Sequence, residues 1–101
     1  MKLNGSIVID ERKIKEYLLV WKPQNDKSKF LNKIGYYESN WENLRTDIVK
    51  IVAENEAELS RIAPNGDGLY KVVGRLKDNF VVTIWLLNVE NEIKFVTLYP
   101  F

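Results

Sequence analysis

The chain has 101 residues, 46% of them apolar, with 15 basic and 14 acidic side chains and a formal net charge of +1. That length admits one domain, residues 1–101, with one core; the apolar content excludes disorder, and near-neutrality speaks against gripping double-stranded DNA by bulk charge. Cysteine and histidine are absent, which excludes a disulfide framework, thiol catalysis and a histidine base, and leaves only carboxylates for a metal, so no metal or other cofactor is expected.

From the N-terminus, Met1-Lys2-Leu3-Asn4-Gly5 lacks the apolar core of a secretory signal. No apolar run reaches the roughly 20 residues of a membrane span. The expected setting is the cytoplasm, with no membrane partner. Ser6–Ile9 is β-branched and suits an edge strand or an extended lead-in. Asp10 stands where a helix N-cap belongs, and Ile14, Tyr17, Leu18 and Trp21 follow at helical spacing up to the break at Pro23. A second short helix is expected over 26–35. Phe30, Leu31 and Ile34 form its stripe, and Gly35 ends it in a left-handed conformation.

A longer helix opens at Ser39, with Glu42 at capping-box spacing and Trp41, Leu44, Ile48, Ile51 and Val52 on one face. Its end falls between Glu54 and Ile62, and Glu54, Glu56 and Glu58 read as helix or helix-end surface. Pro64-Asn65-Gly66-Asp67-Gly68 is a loop. Three strands follow, Leu69–Leu76, Phe80–Asn88 and Ile93–Leu98, separated by polar breaks of hairpin length. The order gives an α+β fold, N-terminal helices packed on a three- to four-stranded antiparallel C-terminal sheet. The strands are apolar on both faces, so one face packs on the helices and the other is covered or is a working surface.

Two groups of residues offer chemistry. Lys22, Lys27, Lys29 and Lys33 flank the short helix; they are either solvated surface or an anion site, Lys27 lying near exposed helix N–H groups that favour phosphate. On the strands, alternation pairs Thr83 with Trp85 and Thr97 with Tyr99, the latter two alongside Ile93 and Phe95. One register would gather Arg75, Thr83, Trp85, Thr97 and Tyr99 into a basic, aromatic patch fit for a phosphodiester and a stackable base. The other reading is ordinary strand threonines with core or interface aromatics.

The run Lys27-Ser28-Lys29-Phe30-Leu31, then Ile34-Gly35, Trp41 and Leu44, Gly68-Leu69-Tyr70, Thr83-Ile84-Trp85 and Thr97-Leu98-Tyr99-Pro100, resembles a family of small uncharacterised bacterial domains. These stand alone or close large polymorphic toxins. The layout is also similar to the barnase–EndoU–colicin–RelE group of metal-independent ribonucleases. The resemblance implies a RelE-like arrangement in which Lys27, Arg75, Thr97 and Tyr99 are catalytic and Lys29, Thr83 and Trp85 hold the substrate. Tyr99 or Lys27 would move protons, and Arg75 would steady charge on the phosphate as a ribose 2′-hydroxyl attacks. One departure stands out: relatives often carry His or Gly just before the lysine, where this chain has Gln24-Asn25-Asp26.

Two functions follow as expectations. The first is a toxin-like domain that binds or cleaves RNA. The second is a non-catalytic interaction module whose partner is a cognate immunity or antitoxin protein, or a second copy of itself, through the uncovered sheet face.

Overall fold

The computed structural model describes residues 1–24 and 26–101. Asn25, within the stretch that departs from the family pattern, lies outside the described residues. The described elements run β1 (Ser6–Val8), a π-helical turn (Lys13–Leu18), α1 (Ser28–Lys33), a 3₁₀ turn (Glu38–Asn40), α2 (Trp41–Glu54), β2 (Ala57–Ile62), β3 (Gly68–Leu76), β4 (Asn79–Leu87) and β5 (Glu92–Pro100). The strands form one open sheet in the order β1-β5-β4-β3-β2.

The α+β class holds, and the sheet is larger than expected: five strands, mixed rather than antiparallel. β1 pairs parallel with β5, Ser6 opposite Glu92 and Val8 opposite Lys94. β2 occupies residues expected as helix end. It hides from pattern reading because it is an edge strand, exposed from Glu58 to Ile62, and because its register with β3 shifts between Leu59 and Arg61. Edge exposure removes the alternation that reveals a strand.

Local chemistry explains most of the helical ends. The Asp10 carboxylate accepts the Arg12 N–H at 2.9 Å. The next turn is wide, Leu19 N–H reaching the Ile14 carbonyl at 3.0 Å, so Ile14, Leu18 and Leu19 all enter the core while Trp21, expected on the apolar stripe, is left 60% exposed. Gly35 ends α1 at φ +101°. Its N–H bonds the Asn32 carbonyl and Tyr36 N–H bonds Leu31, the paired pattern that satisfies the last helical carbonyls. Asn40, not Ser39, organises the start of α2: its Oδ1 accepts the Tyr37 N–H at 2.7 Å and its Nδ2 donates to the Gly35 carbonyl.

The helical layer covers one sheet face. Residues Val81, Thr83, Trp85 and Leu87 of β4 point into it, with Trp85 wholly buried edge-on to Phe95, ring centroids 5.3 Å apart. α2 approaches β3 closely because Gly74 has no side chain; a Cβ there would stand 2.6 Å from Ile51 Cγ2, well inside van der Waals contact. No helix among the described residues is long and apolar enough to cross a membrane.

Candidate functional site

The opposite sheet face carries no helix among the described residues. Strand register sets its rows: Arg75 beside Phe80, Val73 beside Val82 and Tyr99, Lys71 beside Ile84 and Thr97, Leu69 beside Leu86 and Lys94. Glu58 and Arg61 of β2 extend two of these rows. Phe80 is 50% exposed, Tyr99 40% and Phe101 79%. The Arg75 guanidinium sits 4.7 Å over the Phe80 ring, and the Phe80 and Phe101 centroids are 6.1 Å apart. A cation seated over an aromatic ring that itself meets a second ring makes a surface ready for stacking. By register the face holds four cations (Arg61, Lys71, Arg75 and Lys94) against two carboxylates (Glu58 and Glu92), a local excess of positive charge within a nearly neutral chain.

The seven residues singled out in the sequence divide among three places. Arg75, Thr97 and Tyr99 lie on this open face. Thr83 and Trp85 lie on the other side of the sheet. A bulge is the cause: pairing is Ile84 with Thr97 but Trp85 with Phe95. Val96 is therefore the extra residue on β5. The inserted residue reverses the alternation, so Ile93 and Phe95 face the core while Thr97 and Tyr99 face out, and the five-residue patch does not assemble. The polar groups of Thr83 and Trp85 are used internally. Thr83 Oγ1 accepts from Trp85 Nε1 at 2.7 Å and donates to the Val72 carbonyl at 2.7 Å; both residues are fully buried.

Lys27 and Lys29 belong to the helical layer. Lys27 Nζ lies 5.8 Å from the Tyr17 ring centroid and Lys22 Nζ 5.3 Å from it. Tyr17 in turn lines a shallow groove with Thr97, so Lys27 approaches the edge of β5 and not the open face. The helix N-terminus beside it is already filled. Asp26 accepts the N–H groups of Ser28 and Lys29, the Ser28 hydroxyl and the Lys22 N–H. The Ser28 hydroxyl first, and these backbone donors with it, hold the Asp26 carboxyl below its ordinary value, and the resulting anion stands where a phosphate was expected to bind.

Two features had gone unread in the sequence. The first is Phe80, which directly follows the polar turn that sets it opposite Arg75. The second is a cleft of about 670 Å³ beside the open face. β2 pairs only as far as Val72, so the remaining edge of β3 is bare and faces the C-terminal half of α2. Asp47, Lys50, Glu54 and Asn55 line one wall; Arg75, Lys77 and Phe80 line the other. At one end the buried Tyr36 donates its phenol to Asp47 Oδ2 at 2.5 Å under the Lys77 ammonium, 4.7 Å from the ring centroid. Burial, then the Asp47 bond, pushes the Tyr36 phenol well above its ordinary value. Among the described residues no cluster of three or more carboxylates is arranged to hold a metal ion.

These features describe a small α+β domain with one sheet face covered by helices and the other basic, aromatic and open. Over residues 2–101 the chain matches the model of a domain of unknown function, DUF6883, and it belongs to that family. Among curated proteins and solved structures, nothing matches.

Proposed function

We propose that the open sheet face binds single-stranded RNA. The observation that carries the reading is the exposed row Arg75–Phe80–Phe101, set on a face where cations outnumber carboxylates. Unpaired bases stack on Phe80, Phe101 and Tyr99, because every base has a π-face to offer; phosphates meet Arg75, Lys71 and Lys94. A single strand suits this surface better than a duplex, whose bases are already stacked and whose charge density asks for a more basic partner.

Binding is favoured over cleavage. Strand cleavage without a metal needs an acid and a base on either side of one phosphate. Tyr99 supplies a phenol on this face. The nearest strand carboxylate on β2, Glu58, stands three strands away, on the order of 14 Å at ordinary strand spacing, and Lys27 serves the other layer.

The test is fluorescence anisotropy with labelled single-stranded and duplex RNA of equal length, in EDTA. The single strand is expected to bind, and Phe80→Ala and Arg75→Ala each to weaken it by about 5- to 150-fold, the worth of one stacked base. If four cations contact phosphate, log K against log salt falls with a slope of about −3. No binding at high protein concentration, together with a dimer in sedimentation that Phe101→Ser dissociates, would overturn the reading and put a protein-binding face in its place.

A further inference from the structure

Resting on the RNA reading, we infer that the cleft between α2 and the bare edge of β3 is a guanine-selective subsite, one base swinging off the open face into it. Three observations converge. The cleft is continuous with the face, since Arg75 and Phe80 belong to both. Its volume, about 670 Å³, lies in the ordinary range for small-molecule sites. Its walls differ in character: the helix carries acceptors (Glu54, Asp47 and the Asn55 amide) with one cation, Lys50, among them, and the strand and turn carry cations alone (Arg75 and Lys77).

The acceptors are held in place. Asn55 Nδ2 donates to the Ile51 carbonyl at 2.9 Å, which fixes the amide and leaves Oδ1 as its acceptor. Asp47 is anchored through one oxygen by Tyr36. Gly74 keeps the floor clear, a Cβ there coming within 3.1 Å of Asn55 Nδ2. Glu54 is exposed and makes no ion pair among the described residues.

Guanine suits a carboxylate (Glu54) on one wall and a guanidinium (Arg75) on the other better than the other bases do. Its Watson–Crick edge carries two adjacent donors, N1–H and the N2 amine, which one carboxylate accepts together; its O6 and N7 are acceptors that an arginine or lysine meets from the other side. Adenine, cytosine and uracil each turn at least one lone pair toward a carboxylate in the same position, and that contact is repulsive.

The experiment uses the full chain and labelled RNA octamers, uridine throughout except for G, A, C or U at one central position. The octamer with G is expected to bind about tenfold tighter than the other three, the low end for one bidentate contact. Glu54→Gln should erase that preference while leaving the all-uridine octamer within twofold of wild type. A thermal melt confirms that the variant is folded, and Lys77→Ala provides a second substitution expected to reduce the preference for G. Equal binding of all four octamers, or a G preference that survives Glu54→Gln, would overturn the subsite and leave the RNA reading standing. Binding of none would overturn both.

Discussion

Replacing Thr83 by valine tests whether the hydroxyl inside this sheet is structural or meant for a ligand. Valine keeps the shape and removes both hydrogen bonds, leaving the Trp85 indole N–H without its acceptor and the Val72 carbonyl without the hydroxyl donor. Each orphaned buried group costs about 1–3 kcal/mol. Valine's extra buried methyl returns at most about 1 kcal/mol. The net loss is therefore about 1–5 kcal/mol, set against the 5–15 kcal/mol that holds a small domain. At about 4–8 °C per kcal/mol for a domain near this size, Tm falls by roughly 4–40 °C. Thr83→Ser is the informative companion. It keeps the hydroxyl and loses one methyl, so it should cost only about 0.5–1.5 kcal/mol, on the scale of Ile→Val. Hydrophobic burial alone predicts the reverse order, with valine harmless and serine damaging. Urea denaturation followed by tryptophan fluorescence decides between them. Thr83→Val as stable as Thr83→Ser, or more so, would refute the internal role of the hydroxyl. A folded Thr83→Ser protein that no longer binds RNA would return Thr83 to the ligand.

Gly74→Ala drives a methyl against Ile51 and should destabilise by about 1–3 kcal/mol; because the two side chains collide, Gly74→Ala/Ile51→Ala should lose less than the sum of the single changes in urea unfolding. The raised Tyr36 phenol gives stability that is complete below the unfolded value near 10 and declines as pH climbs past it. In an alkaline titration read at 295 nm, one of the five tyrosines should therefore ionise only with unfolding, and Tyr36→Phe should remove that step. The Asp26 carboxyl is lowered instead, so its contribution is present above the unfolded value near 4 and lost as pH falls through the lower folded one. The amide resonances of Ser28 and Lys29 should report that titration with a midpoint below 3.8, and Asp26→Ala should abolish it.

Legibility followed periodicity. β3, β4 and β5 begin and end within two residues of their expected bounds because polar turns mark them and left-handed residues, Lys77 and Asn91, close them. The glycine stop of α1 was equally clear, since few other residues tolerate φ +101°. Two kinds of information were hidden. β2 and the parallel pairing of β1 depend on what lies beside them in space. The bulge at Val96 leaves no compositional trace, yet that one residue decides which side of the sheet Thr97 and Tyr99 occupy. Lys27 and Arg75 were recognisable as candidates one by one; their separation onto two layers was not, because a sequence gives no distance between a helix and a strand far along the chain.

The parallel pairing of β1 with β5 also bears on how the chain folds. Ser6 must find Glu92, while β3, β4 and β5 need only close two tight hairpins. Loop-closure entropy favours the hairpins first. During synthesis β1 is made well before its partner β5. The meander therefore acts as the template, and β1 docks as a late latch, with Lys13 reaching the Phe95 carbonyl at 3.1 Å just beyond the last paired residue. Substitutions in β1 should accordingly speed unfolding while leaving the refolding rate nearly unchanged.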